Sequence, residues 1–328
     1  MRGLWTNRTA RPYLLLALTV AVFAALGGGT VLSMATGYSV LQHFATLGPV
    51  ALGLGLTIMA RNFDLSVAGV VGLAGCIAVL LAGVHPLVGV LAAVGVGAVF
   101  GLVQGTLVVR LRLSASGVTL GGLLTATGLA YVATGNQEVR LAQGDMPALM
   151  DSPLVGPMSL RVLVAVAMFG VAAVIISRTR PGRDLLAAGS DPKAALVAGV
   201  PVGAVVTTAF MLAGMCSALG GALLSYSLAA ASPLPLSNTL VPAAAAAIIG
   251  GVSLRGGRGH PVGIAGGVLV LSALQSGLTA LGVDPFVQDT ATGAVLLLVG
   301  VLDGGELQRR MNDLKRRVGG LPQGAPAR

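Results

Sequence analysis

Apolar residues run almost unbroken through this chain, and the polar positions between them mark where each run ends. A helix that crosses a bilayer needs about 20 predominantly apolar residues. Ten stretches meet or approach that length, at roughly 12–32, 38–60, 65–84, 86–109, 114–135, 160–177, 201–230, 239–254, 261–282 and 286–302. Several are short or rich in Gly, which admits broken or re-entrant segments. The pattern predicts an all-α polytopic membrane protein of about ten transmembrane helices. The transmembrane domain covers 12–302, between a short N-terminal segment, 1–11, and a basic tail, 303–328, that ends in a Gly/Pro-rich, disordered stretch. Five runs fall before about residue 140 and five after it. An odd number per half gives inverted repeats if the halves are related.

One interruption differs from the rest. Residues 178–200 read RTRPGRDLLAAGSDPKAALVAGV, placing Arg178, Arg180, Arg183, Asp184, Asp191 and Lys193 between two long apolar runs. Asp191 can cap a helix, Pro192 suits its first position, Lys193 to Ala198 form the body and Gly199 can end it. Pro201 then opens the next run. A helix of about two turns between two spans has no core of its own to bury. It is either a neutral linker or a piece that another protein grips, and its deliberate capping favours the grip.

Composition settles the class. The 328 residues are 55% hydrophobic and 9% charged, against about 25% charge in soluble domains. The 49 Gly residues suit helices packing backbone to backbone in lipid. A net charge of +9 raises the question of nucleic acid, but its distribution answers it. With the N-terminus inside and the spans alternating, 18 of the 20 Lys and Arg fall inside, leaving only Arg140 and Arg161 outside. The positive-inside rule supports that orientation, with both termini cytoplasmic. The N-terminal run imitates a signal peptide and reads as an uncleaved first span reaching about Leu32. The longest outside loop, Asn136 to Ser159, carries Glu138, Asp145 and Asp151.

Candidate chemistry is sparse. In Arg61-Asn62-Phe63-Asp64-Leu65-Ser66, Asp64 and Ser66 can cap the third span beside a solute path, or form an ordinary Asx-type turn. Ile249 to Gly259 is Gly-rich but lacks the Lys-Ser/Thr of a phosphate loop, so it reads as a tight turn needing positive φ. No Walker motif occurs, so an ATP-driven process needs a separate ATPase. Polar residues within the runs are Gln42, His43, Gln104, Thr119, Thr125, Asn238, Gln275 and Gln288. Each alone can be helix glue. Together, with almost no charge, they suit a neutral polar solute better than an ion. His43, His85 and His260 are scattered, which argues against zinc. Cys76 and Cys216 lie in apolar runs as packing residues. No hydrolase constellation is visible, so no enzymatic role is expected.

Several stretches in shared order resemble permease subunits of bacterial ABC importers of the ribose/xylose/galactose type, related to branched-chain amino acid permeases. They are Leu52-Gly53-Leu54-Gly55-Leu56-Thr57 with Asp64-Leu65-Ser66-Val67, Gly101-Leu102-Val103-Gln104-Gly105, and Val118-Thr119-Leu120-Gly121. Gly182-Arg183, Ala188 to Ala195, Gly199-Val200, Ile249 to Leu254, Gly256 to Gly259 and Gly282 to Phe286 follow. The resemblance implies a homo- or heterodimer of permeases in the bacterial inner membrane, two cytoplasmic ATPases that use ATP and Mg, and an extracytoplasmic solute-binding protein. This chain itself would bind no cofactor. The resemblance makes the segment around Ser190–Val200 a coupling helix, with Gly182, Arg183, Gly189, Asp191, Lys193, Ala194, Ala195 and Gly199 as its candidate residues. Asp64, Ser66, Gln104, Thr119, Gln275 and Phe286 are candidates for the path of a monosaccharide or polyol. Arg61-Asn62-Phe63 stand where the family usually has Gly-Gly-Ile. A nucleoside or branched-chain amino acid permease is the nearest alternative. A secondary transporter should carry a buried coupling charge in its spans, and a scaffold would not need the capped helix.

Overall fold

Each of the ten apolar runs contains a helix in the computed structural model, which describes residues 10–27, 33–141, 145–233 and 237–303. In chain order the helices are α1 (Arg11–Gly27), α2 (Met34–Met59), α3 (Val67–Ala82), α4 (Pro86–Arg110), α5 (Ala115–Thr134), α6 (Met146–Asp151), α7 (Leu160–Arg178), α8 (Arg180–Ser190), α9 (Pro192–Val197), α10 (Val202–Ser227), α11 (Ser237–Ile249), α12 (Pro261–Ala280) and α13 (Pro285–Asp303). Short strands β1 (Val139–Arg140), β2 (Pro153–Val155), β3 (Met158–Ser159) and β4 (Ala230–Ala231) pair as two antiparallel ladders, β1 with β4 and β2 with β3. The expected tail beyond Asp303 and the end of the first run, 28–32, lie outside the described residues.

Among the described residues, α2, α4, α5, α7, α10 and α12 are long and apolar enough to cross a membrane, and α1, α3 and part of α11 are shorter apolar helices. The chain is a polytopic helical membrane protein. It divides into two units, residues 1–283 and 284–328; the described part of the second is α13.

The first unit is built around α10, which packs on α2, α3 and α4. Small residues allow this. Gly97, Gly101 and Gly105 repeat every four residues along α4, and a Cβ on any of them would strike α10 backbone around Thr207, Phe210 and Gly214. Four-residue spacing puts the three on one helix face, so two backbones meet where side chains would hold them apart. The second half of α2 and nearly all of α3 are buried. α12 packs on α2, α11 and α1. Two His-Pro pairs start helices alike: His85 Nδ1 accepts from Leu87 N and His260 Nδ1 from Val262 N, both at 3.2 Å, with Pro in the first turn. The scattered histidines thus include two helix caps.

Candidate functional site

The charged interruption forms two helices, not one. Thr179 ends α7 and begins α8, its hydroxyl accepting from Gly182 N at 3.4 Å, with Pro181 in the first turn. Asp191 ends α8 and begins α9, its Oδ1 accepting from Lys193 N at 3.0 Å and Ala194 N at 3.1 Å. Gly199, at φ 84°, closes α9.

These helices dock on backbone. A Cβ on Gly189 would strike Met59 O, at the end of α2, and lie 2.6 Å from Gly257 N. Gly257 N donates to Met59 O at 2.9 Å, and the Ser190 hydroxyl to Gly257 O at 3.3 Å. The Gly-rich loop between α11 and α12 is therefore a docking seat. Gly251, Gly256 and Gly257 take φ of 86°, 79° and 68° to build it.

Of the eight candidate coupling residues, Gly182, Gly189 and Ala195 are buried in this chain's own packing, whereas Arg183, Asp191, Lys193, Ala194 and Gly199 are exposed. The tip of α9 adds what the sequence reading missed. Leu196 is 66% and Val197 91% exposed, two apolar side chains beyond the polar cap.

Four solute-path candidates do come together. Asp64 Oδ1 accepts from Ser66 N at 2.9 Å and from the Ser66 hydroxyl at 2.6 Å, and Gln104 Nε2 donates to Ser66 Oγ at 2.8 Å. The Thr119 hydroxyl reaches Phe63 O at 3.4 Å. Burial pushes the Asp64 carboxyl, in the connector outside the helices, up to about 6. Ser66 does not cap α3 with its side chain; the turn is of Asx type, held by Asp64. All four side chains are buried; Asp64, Ser66 and Gln104 bond one another, Thr119 bonds backbone, Gln104 Oε1 is buried without a partner, and Gly122 leaves the room that Gln104 fills. Gln275 stands apart near the end of α12, and Phe286 is on α13 in the other unit. A cavity of about 640 Å³ between α2, α7, α8 and α10 is lined by none of the six; its hydrogen-bonding side chains are Asp184 and Thr208. The knot therefore joins helices. Replacing Asp64 by Ala leaves two buried Ser66 donors short of their acceptor. The expected loss is about 1–3 kcal/mol, read as a lower thermal midpoint in detergent.

The sequence reading also missed a second knot, at the N-terminal ends of α2 and α7. Tyr38, Gln42 and Thr46, spaced by four along α2, all bond toward Asp151 or Arg161. Arg161, 5% exposed, forms an ion pair with Asp151 at 3.1 Å.

A family model described as branched-chain amino acid transport system / permease component matches residues 38–300. The chain belongs to that permease family. Among its relatives, the permease is 30% identical to the fructose import permease protein FrcC of Rhizobium meliloti, over 92% of this chain and 86% of the relative. It is 31% identical to the ribose import permease protein RbsC of Bacillus subtilis, over 81% and 83%. The L-arabinose ABC transporter permease protein AraH of Azospirillum brasilense is 29% identical over 80% and 78%. The permease is a multi-pass protein of the cytoplasmic membrane.

Arg61 sits at φ 66°, in the left-handed region that favours Gly. Holding a non-Gly residue there costs about 1–2 kcal/mol. In Arg61→Gly the relief is partly offset by the greater freedom of the unfolded chain. The expected net effect is a thermal midpoint in detergent equal to or above that of the parent.

Proposed function

We propose that this permease is the membrane-spanning subunit of an ATP-driven importer for a neutral monosaccharide or polyol. The observation that carries the reading is the α8–α9 pair: capped, docked on glycine backbone, and presenting bare Leu196 and Val197 beyond the Asp191 cap. An exposed apolar tip on a rigid seat suits a groove in a partner ATPase. The relatives, named as fructose, ribose and L-arabinose permeases, support the substrate class.

In this reading ten spans cross the membrane as two groups of five, with both termini and α8–α9 cytoplasmic. Two permease copies, alike or different, pair with two ATPase subunits, which use ATP and Mg. Gly182, Arg183, Gly189, Asp191, Lys193, Ala194, Ala195 and Gly199 build the coupling element: the buried ones seat it and the exposed ones face the ATPase. ATP closure draws the paired α9 helices together and biases the bundle from inward-open to outward-open. An extracytoplasmic binding protein delivers the solute, and hydrolysis resets the path. The chain itself performs no hydrolysis.

The test is uptake by the assembled transporter in proteoliposomes, offered labelled ribose, fructose, L-arabinose and leucine. ATP-dependent accumulation of a sugar over leucine is expected. Uptake of leucine alone, or sugar uptake driven by an ion gradient without ATP, contradicts the reading.

A further inference from the structure

We propose that Arg161 is the latch of an outer gate, and that the α8–α9 pair works this gate through α7 as a rigid lever. The inference rests on the transport reading and orientation above, which place the N-terminal end of α7 outside and α8–α9 inside.

α7 has 19 residues, roughly 28 Å at 1.5 Å per residue, enough to reach across the hydrocarbon core. At its inner end it passes into α8 through Thr179 alone, and Gly182 is pressed against the backbone of Ile175 and Ile176. That close contact makes α7 and α8 a stiff elbow, so movement of the coupling element moves α7.

At its outer end α7 carries Arg161. Arg161 Nη2 donates to Gln42 Oε1 at 2.7 Å and Nη1 to Thr46 Oγ1 at 3.1 Å, and its ion pair is with Asp151 of α6. Nε of Arg161 is buried without a partner. The Asp151 carboxylate accepts from the Ser227 hydroxyl at the end of α10, and its main-chain oxygen accepts from Tyr38 at 2.6 Å. Gln42 Nε2 donates to Ser159 Oγ at 3.0 Å. Both charges belong to the α6–α7 segment, while every partner on α2 and α10 is neutral. Opening the seam keeps the charge pair together and exchanges charge-assisted bonds to neutral partners for water, so neither charge is left buried and unpaired.

Below the latch, the described residues hold the seam by apolar packing alone. Phe44 and Phe169 meet at 5.3 Å between ring centroids, over Gly48, where a Cβ would stand 3.0 Å from the Phe169 ring. Farther in, a half-open apolar groove of about 640 Å³ lies between α7, α2 and α10 and runs to Pro181, Asp184 and Leu185 of α8. The seam thus has a firm polar clasp at one end, an apolar groove beside it and the coupling element at the other.

The test bridges the seam. Gln42→Cys and Ser159→Cys are introduced with Cys76→Ala and Cys216→Ala, and the assembled complex in proteoliposomes is treated with a short bis-methanethiosulfonate reagent that dithiothreitol removes. ATP turnover is expected to fall about tenfold on bridging and to recover on reduction, because a closed gate stalls the cycle. Equal turnover in the bridged and reduced complex overturns the latch, since a contact that merely stabilises the fold has no need to open. ATP turnover and uptake in the wild-type complex report the transport reading separately. A second measurement needs no bridge: Thr46→Cys should react with a membrane-impermeant maleimide several-fold faster when ATP is present. Equal rates with and without ATP overturn the proposal.

Discussion

Val197→Asp is expected to detach the permease from its ATPase while leaving the fold intact. Val197 is 91% exposed, so nothing inside the chain depends on its side chain, and exposed substitutions usually change stability by less than about 0.5 kcal/mol. In an apolar groove of a partner the same change places a desolvated carboxylate at the tip of the contact. Central anchor residues of interfaces cost about 2 kcal/mol or more when lost, roughly thirtyfold in affinity. Co-purification of the tagged ATPase should fall accordingly, and ATP-dependent sugar uptake with it, while membrane insertion and thermal midpoint match the parent. Asp191→Ala makes the complementary case, since it removes the acceptor of two α9 amides and loosens the tip without altering its surface.

The second large effect is expected at Gly189. Its Cβ position is filled by Met59 O and crowded by Gly257 N, so even Gly189→Ala must push α8 off the end of α2 and off the glycine loop. Overpacking of this kind costs about 1–3 kcal/mol. If about 2 kcal/mol of that falls on the docked arrangement alone, its population relative to the undocked one drops roughly thirtyfold. Uptake should be lost out of proportion to the ATPase that remains bound, because the grip survives but the seat does not. The two variants therefore separate gripping from transmission. Val197→Asp releases the ATPase; Gly189→Ala keeps it and wastes its cycle.

The sequence reading found those features that local chemistry dictates. α9 was legible because its cap, its first-turn proline and its closing glycine are neighbours in the chain. The apolar runs were legible because lipid admits so little else. α8 was not, since its buried face is only Gly182, Leu185, Ala188 and Gly189, too short and too small to read as a periodic core. What fixes it lies far along the chain, at Met59 and Gly257. The Arg161 knot was hidden for the same reason. Its bonds join residues 115 to 119 positions apart, and a Gln, a Thr and an Arg in separate runs give no sign that they meet. Asp64, Ser66, Gln104 and Thr119 were named with Gln275 and Phe286 as path candidates, and the structure brings the four together in a buried joint between helices. Gln275 stood out as a polar residue in an apolar run and Phe286 through the Gly282 to Phe286 stretch; they lie on α12 and α13, in different units.

Coupled transport turns on whether another protein grips α9. A benzophenone maleimide attached to Val197→Cys, in the Cys76→Ala, Cys216→Ala background, tests it directly in native membranes. On illumination the account predicts one dominant protein adduct, between the permease and an ATP-binding subunit. Adducts to lipid alone, with no ATP-binding protein attached, would contradict it.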